Sequence, residues 1–109
     1  MFASGLTPPY YAVIFTSLLK PGAEGYGAAA ARMLELAKTM PGYLGIESAR
    51  NAEGLGITVS YWKDEQSIRN WRAHDEHRGI QARGKAEWYE HYEGRVARVD
   101  RDYSGPEGR

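Results

Sequence analysis

The chain has 109 residues, a formal net charge of +0 and a hydrophobic fraction of 42%, which are values typical of one folded domain rather than a disordered protein. Its balanced charge argues against a nucleic-acid-binding protein, which needs a surplus of lysine and arginine on one face to neutralise phosphates. The absence of cysteine excludes disulfides, thiolate nucleophiles, CxxC zinc sites and iron–sulfur clusters.

The sequence shows no sign of a membrane segment or a secretion signal. No apolar run approaches the roughly 18 to 20 residues that a transmembrane helix needs, so we expect no association with a membrane. The opening stretch MFASGLTPPYY lacks a basic segment followed by an apolar one, and this argues against a signal peptide. A cytoplasmic location is therefore expected.

The first part of the chain predicts a strand followed by a helix. Residues 1–9 end in two prolines and are expected to form an extended lead-in. Residues 10–19, YYAVIFTSLL, are β-branched and aromatic with both alternating faces largely apolar, a pattern typical of a strand buried on both sides. Residues 23–40 carry apolar side chains at helical spacing and stop before a Pro-Gly pair, so they predict a helix.

The middle of the chain predicts a β-hairpin. Residues 43–50 and 55–62 have the composition of strands, and the NAEG sequence between them ends in Gly54, which suits a turn that needs a positive φ. Asp64 has the right chemistry to cap a helix that begins near Glu65.

The last part predicts a helical region and a final strand. The helical pattern continues to about Tyr89, with an interruption expected near His74–Asp75 or at Gly79. Residues 92–103 are expected to be the last strand, and residues 104–109, SGPEGR, a flexible tail. The resulting β-α-β-β-α-β order predicts a single α+β domain over residues 1–109. It would have the ferredoxin-like arrangement, an antiparallel four-stranded sheet with both helices on one face.

The third predicted strand suggests how the sheet is covered. Since side chains alternate along a strand, Ile57, Val59 and Tyr61 share one face, which we expect to lie toward the helices. Trp62 would then lie on the opposite face, which no helix of this chain covers. Such a face would be a large exposed apolar patch, and its packing against a second copy predicts a homodimer.

Residues 70–88, NWRAHDEHRGIQARGKAEW, hold two of the three tryptophans and two of the three histidines. Trp71 shares a helix face with Ile68, which favours core packing and is also compatible with a place in a pocket wall. The pair His74 and His77 offers only two ligands, whereas zinc needs at least three from the protein, so we expect no metal site.

An acid–base role is the chemical alternative for this stretch. Histidine has an unperturbed pKa near about 6.5, closest to neutral among the side chains. His77 follows the acidic residues Asp75 and Glu76 and could lie at the mouth of a pocket. The simpler interpretation is a half-exposed histidine beside a helix break. No serine lies within hydrogen-bonding reach of either histidine on the helix, since Ser67 is two turns from His74.

Four stretches together resemble the antibiotic biosynthesis monooxygenase domain. These are MPGYLGIES, GITVSYWKDEQSIRNW, EHRGIQARGKAEWYEHY and VARVDRDY, and the similarity covers roughly residues 10–103. The resemblance implies a dimeric α+β barrel with a pocket between the sheet and the helices of each subunit. Some members of that family oxidise phenolic compounds to quinones with dioxygen and no metal or flavin, because the substrate anion itself donates the electron.

The resemblance also suggests roles for particular residues. Trp71 matches a pocket tryptophan on the second helix and His77 matches the histidine of the EH segment, so His77, or less readily His74, would move the substrate proton. Tyr61 is expected to shape the pocket together with Trp71. Arg72 or Arg78 is expected to hold the developing phenolate.

Two alternatives to this oxygenase hypothesis remain open. The first is a dimer that binds a small aromatic molecule without turnover. The second is haem binding or degradation, because a related branch uses a strand asparagine, a helix tryptophan and a histidine ten residues later. Here that last position is Gln81, and the first strand carries no asparagine, so the sequence disfavours haem and predicts no cofactor.

Overall fold

A four-stranded antiparallel sheet in the order β2-β3-β1-β4 forms the frame of the protein. The structure is a computed structural model that describes residues 2–107, and residue 1 and residues 108–109 of the expected lead-in and tail lie outside them. The elements are β1 (Tyr10–Leu19), α1 (Tyr26–Lys38), β2 (Tyr43–Arg50), β3 (Leu55–Trp62), α2 (Glu65–Ala73), α3 (Asp75–Arg83), a π-helical turn (Gly84–Trp88) and β4 (Tyr89–Val99). No helix among the described residues is long and apolar enough to cross a membrane.

The expected ferredoxin-like α+β arrangement is confirmed, and the first three strands begin and end where the sequence predicts. The last strand is different, because it spans Tyr89–Val99 rather than 92–103. Its bounds follow from pairing with β1: Tyr89 lies opposite Leu19, and Val99 lies opposite Tyr10. Beyond Tyr10 no further residue of β1 is available to pair, so β4 ends there.

The helical region after β3 is split in two at His74. Asp64 caps α2 as expected, since its Oδ1 accepts a hydrogen bond from the Ser67 backbone N–H at 2.8 Å. His74 has an extended backbone, with φ −63° and ψ 127°, and it both ends α2 and begins α3. Its own Nδ1 accepts a hydrogen bond from the Glu76 N–H at 3.2 Å, which gives α3 an N-terminal side-chain cap.

The facing predicted for β3 is wrong. Trp62 is fully buried and Ile57 is 49% exposed, so Trp62 faces the helices while Ile57, Val59 and Tyr61 lie on the other face. The larger indole gains more from burial, and its Nε1–H donates to Ser60 Oγ at 2.9 Å, so no polar group is left unsatisfied. The core beneath the helices consists of Leu36, Ala37, Trp62, Ile68 and Trp71.

We call the other side of the sheet the open face. Cross-strand partners share a face, and the register of β1 with β3 therefore places the following side chains on it: Ala12, Ile14, Thr16, Leu18, Leu55, Ile57, Val59 and Tyr61. The lead-in crosses its β2 edge, where the Ala3 N–H donates to Glu47 Oε2 at 2.9 Å. A Cβ on Gly45 would lie 2.9 Å from the Cβ of Ala3, so glycine permits this close approach.

Candidate functional site

The two rings expected to carry the chemistry lie against each other. The imidazole of His77 stacks on the indole of Trp71, with ring centroids 4.0 Å apart and an interplanar angle of 14°. The break at His74 makes this contact possible, because residues six apart on a continuous helix lie about 120° apart around its axis and more than one turn apart along it. We call this pair the Trp71–His77 stack.

A hydrogen bond fixes which nitrogen of His77 is free. Its Nδ1 lies 3.0 Å from the carbonyl oxygen of Trp71. A carbonyl oxygen can only accept, so Nδ1 carries the hydrogen and, in the neutral ring, Nε2 carries the lone pair. His77 is therefore oriented as a base with Nε2 as its basic atom.

The surroundings of His77 favour its neutral form. Burial is the largest cause that lowers its pKa from the ordinary value of 6.5, and the charges of His74 and Arg72 lower it further, while the hydrogen bond to Trp71 acts in the opposite direction. A histidine whose pKa is lowered from that value is mostly unprotonated at neutral pH. His77 can accept a proton under those conditions.

His74 is less suited to proton transfer. Its Nδ1 lone pair is engaged by the Glu76 N–H, and its ring centroid lies 6.3 Å from that of Trp71. The ring serves as a cap between two helices. Glu76 is itself held by Arg32 of α1 through a bidentate pair at 2.5 and 3.0 Å.

Trp71 is mainly a core residue, as its helix spacing suggested. Its side chain is only 8% exposed, and its ring stacks on Trp62 with centroids 5.9 Å apart. Tyr43 meets Trp62 edge-on at 5.7 Å. The space between sheet and helices at Trp71 is therefore filled by aromatic rings, and His77 forms the partly exposed outer end of the row.

Part of the helix side of the sheet remains uncovered. Val96 of β4 lies opposite Val13 of β1 and is 49% exposed. Val13 in turn packs against the core cluster that contains Trp71. An apolar surface therefore extends from the Trp62–Trp71 rings along β1 and β4 on the side of the helices.

Tyr61 does not join this group. Because it precedes Trp62 in β3, its side chain lies on the open face, and its hydroxyl donates to Glu47 Oε1 at 2.6 Å. Its ring meets Tyr10 edge-on at 5.7 Å. Burial and the hydrogen bond to Glu47 raise the pKa of Tyr61 to about 12. The expectation that Tyr61 and Trp71 line one pocket is wrong for the single chain, because the sheet separates them.

Arg72 and Arg78 lie together in a different place. They line a surface cleft where α2 meets α3, with Arg69, Ala73 and Gln81. Gln81, which stands where the haem alternative would require a histidine, is thus part of this cleft. Among residues 2–107 no group of three or more His, Asp or Glu side chains is placed to hold a metal ion.

A second polar and aromatic cluster lies near the end of β1 and was not anticipated. The guanidinium of Arg50 donates to the Ser17 carbonyl at 3.1 Å, to Ser17 Oγ at 2.8 Å and to the Tyr26 hydroxyl at 3.1 Å. Its Cζ lies 5.2 Å from the centre of the Tyr26 ring. Burial raises the pKa of Tyr89, and the neighbouring Tyr26 adds to this effect. The hairpin alone gave no signal that the side chain of Arg50 in β2 would reach across β3 to Ser17 of β1.

The π-helical turn positions one side of that cluster. Its last residue, Trp88, is fully buried, and its Nε1–H donates to the Glu24 carbonyl at 2.8 Å. A Cβ on Gly84 would lie 2.6 Å from Cε2 of Tyr89, so the turn needs glycine at its start. Single π-helical turns often occur near functional sites, but sequence periodicity does not reveal them.

The order β2-β3-β1-β4, with helices that pack on a single face around Trp62, defines a ferredoxin-like α+β domain. The family model for antibiotic biosynthesis monooxygenase matches residues 9–83. The chain is 53% identical to the protein YqjZ of Bacillus subtilis (strain 168) over 94 residues, which are 86% of this chain and 82% of that protein. The chain belongs to the antibiotic biosynthesis monooxygenase family.

Solved structures of low sequence identity share the fold. SnoaB, a cofactor-independent oxygenase from Streptomyces nogalater, superposes with a TM-score of 0.74 at 11% identity, over 87% of this chain and 97% of that one. A putative antibiotic biosynthesis monooxygenase from Nitrosomonas europaea gives a TM-score of 0.74 at 12% identity, over 86% and 93%. At such identities the likeness concerns the arrangement of the backbone.

Proposed function

We propose that the protein is a cofactor-independent monooxygenase that oxidises a small aromatic or quinol-like compound with dioxygen. The observation that carries this proposal is the Trp71–His77 stack, in which a neutral histidine presents the lone pair of Nε2 beside an aromatic surface. Family membership and the fold shared with SnoaB support the choice of reaction.

The role of His77 in this reaction is to take the phenolic proton of the substrate on Nε2. The resulting electron-rich anion reduces dioxygen directly. For an anthrone-type substrate, a CH₂ carbon becomes a carbonyl carbon and dioxygen accepts four electrons. One oxygen atom enters the product and the other leaves as water with the two hydrogens of the CH₂ group, one of which is the phenolic proton that His77 takes from the enol tautomer. The proton on Nε2 is available to the departing oxygen.

The substrate is proposed to lie on the apolar surface of β1 and β4 next to the core rings. Val13 and Val96 contribute to that surface, and Trp71 would contact the substrate only through the edge that remains exposed. Arg72 is the arginine whose charge acts on His77, so it is proposed to favour the phenolate, with Arg78 beside it. His74 is proposed as the cap that holds His77 in place.

Oxygen uptake with a panel of hydroquinones and anthrones tests the proposal. General-base catalysis contributes about 10²- to 10⁴-fold, so His77→Asn, which keeps a donor for the Trp71 carbonyl but has no basic nitrogen, is expected to lose at least about tenfold in kcat. His91→Asn is the matched control, because His91 is exposed and, within residues 2–107, its side chain pairs only with Glu93. Full activity of His77→Asn would contradict the role of His77.

The pH profile gives a second readout. Since burial lowers the pKa of His77, the rate should rise with pH, with a midpoint below the ordinary histidine value of about 6.5. No oxygen uptake with any compound, together with ligand-dependent thermal shifts, would instead support a dimer that binds small molecules without turnover. A Soret band on addition of haem would favour the haem alternative.

We further propose that the protein is a homodimer that packs through the open face. Leu55 and Ile57 are each 49% exposed there, and burial of that surface against a second copy would remove it from water. Ile57→Glu should shift the mass measured by light scattering from dimer to monomer, whereas Arg98→Glu on the other side of the sheet should not. A wild-type monomer at micromolar concentration would refute the proposal. A cytoplasmic location remains our expectation.

A further inference from the structure

The cleft between α2 and α3 concentrates positive charge in a chain whose formal net charge is +0. It has a volume of about 400 Å³, and three of its five lining residues are arginines: Arg69, Arg72 and Arg78. The other two, Ala73 and Gln81, carry no charge. We call it the arginine cleft.

The arginines of the cleft are only weakly used within the chain. Within residues 2–107 the side chain of Arg72 makes no hydrogen bond or ion pair, and Arg69 donates one N–H to Gln66 at 2.9 Å. Arg78 lies 3.8 Å from a fully exposed Asp75 carboxylate, and such a pair contributes little.

Other arginines of the chain have close carboxylate partners, unlike those of the arginine cleft. The guanidinium of Arg32 is matched by the carboxylate of Glu76 in a bidentate pair, and Arg98 lies 3.0 Å from Asp100. In the arginine cleft three arginine side chains line one surface without comparable partners among the described residues, so their guanidinium groups are available to a bound anion.

We propose that the arginine cleft binds the phosphoryl group of a phosphorylated small molecule. A phosphoryl group carries about −1.5 to −2 charges at neutral pH and three acceptor oxygens, which matches three guanidinium forks. A single carboxylate is satisfied by one arginine in a bidentate pair and would leave the others unmatched. The cleft is also larger than a lone phosphate ion requires, which leaves room for the organic part of the ligand.

The site lies next to the proposed catalytic residue without depending on it. Arg72 lines the cleft, and its charge acts on His77. An anion held by Arg72 would offset that charge. Binding at the arginine cleft is therefore expected to be detectable at His77 as well, whether or not the protein oxidises any compound.

Calorimetric titration with inorganic phosphate and pyrophosphate, in Tris buffer at low ionic strength, tests the proposal on the intact protein. Loss of a charge-assisted hydrogen bond should weaken binding of pyrophosphate by roughly tenfold, so this is the expected effect of Arg72→Gln and of Arg78→Gln. Arg98→Gln removes the same charge from an exposed residue of β4 that does not line the cleft, and it should change the affinity by less than about twofold, because salt screens exposed charges that do not contact the ligand.

The competing outcomes are distinct. Absence of binding at millimolar phosphate and pyrophosphate, or an equal loss in Arg98→Gln, would overturn the proposal. Succinate binding as tightly as pyrophosphate would show a general carboxylate site and overturn the choice of a phosphoryl group. In a histidine NMR titration, pyrophosphate should raise the pKa of His77 in the wild type and not in Arg72→Gln. An unchanged pKa of His77 in the wild type would refute binding of the anion at Arg72. All these readouts are obtained without oxygen uptake, so failure here leaves the oxygenase proposal separately testable.

Discussion

Gly42, in the turn between α1 and β2, should be one of the positions least tolerant of a side chain. It has a φ of +85°, and a Cβ there would lie 2.0 Å from Ser67 Oγ and 2.6 Å from Ser67 Cβ. The left-handed conformation costs a non-glycine residue about 1–2 kcal/mol, and overpacking typically costs about 1–3 kcal/mol more. We therefore expect Gly42→Ala to lower the free energy of unfolding by about 2–5 kcal/mol.

Neither Ser67 nor the turn at Gly42 can move easily to relieve this clash. Ser67 is buried, and its Oγ is held by Asp64 Oδ1 at 2.6 Å. The Gly42 carbonyl also accepts a hydrogen bond from the Lys63 N–H at 2.9 Å, so a shift of the turn would strain the link between β2 and the end of β3.

Gly79→Ala is the matched control, because it makes the same change in composition with the opposite expected sign. Gly79 lies within α3, its φ is not positive, and nothing lies within 4 Å of an added Cβ. Alanine in place of glycine inside a helix stabilises by about 0.5–1 kcal/mol. Urea unfolding of both variants, at unchanged m value, measures the difference. A loss of less than about 0.5 kcal/mol in Gly42→Ala, the size of ordinary surface effects, would refute the steric reasoning.

Three further predictions follow from hydrogen bonds and burial. Asp64→Ala should lower the free energy of unfolding by about 1 kcal/mol through loss of the α2 cap, while Asp64→Asn, which keeps an acceptor for Ser67, should lose little; equal losses in urea unfolding would contradict this. The unfolded state binds a proton on His77 more readily than the folded state, because burial lowers the pKa of His77 in the folded state. The free energy of unfolding of the wild type should therefore fall relative to that of His77→Asn as pH drops below about 6.5. The same pH dependence of unfolding in both proteins would refute this prediction. Burial and the hydrogen bond to Glu47 raise the pKa of Tyr61 to about 12. In an ultraviolet titration, Tyr61→Phe should therefore lack the tyrosinate absorbance that the wild type gains near pH 12. A difference between the two proteins that appears near the ordinary tyrosine pKa of about 10 would contradict this prediction.

Local patterns in the sequence predict much of the fold. The strands β1, β2 and β3 are rich in aromatic, β-branched and other apolar residues, and Gly or Pro lies close to at least one end of each. The cap at Asp64 depends only on a residue of the helix that it begins. The start of β4 was misplaced because it depends on the π-helical turn and on the register shift at Leu18 and Leu19. Neither has a signature in the order of apolar and polar residues.

The facing of β3 shows where periodicity stops being informative. Alternation establishes that Ile57, Val59 and Tyr61 share a face opposite that of Trp62, but it does not establish which of the two faces packs against the helices. The choice depends on partners that are distant in sequence: Trp71 for the indole of Trp62 and Glu47 for the hydroxyl of Tyr61. The open face consequently carries aliphatic side chains where a tryptophan was expected.

The candidate site was predictable in its residues and not in its geometry. Trp71 and His77 were both selected from sequence, and their roles remain predictions. Their contact depends on the extended backbone of His74, which turns α3 so that residues six apart meet. Sequence pattern indicated a break near His74 or at Gly79, and only the first of these positions produces the Trp71–His77 stack.

The Trp71–His77 stack should also make tryptophan fluorescence depend on the protonation state of His77. A protonated imidazole in contact with an indole quenches its fluorescence by accepting an electron from the excited state, whereas a neutral one quenches weakly. With ring centroids 4.0 Å apart, Trp71 is in direct contact with the group whose charge changes. Emission of the wild type should therefore fall as His77 becomes protonated, and the difference from His77→Asn isolates that signal from Trp62 and Trp88. The protonation state of the proposed base can thus be followed by light, in solution and without substrate.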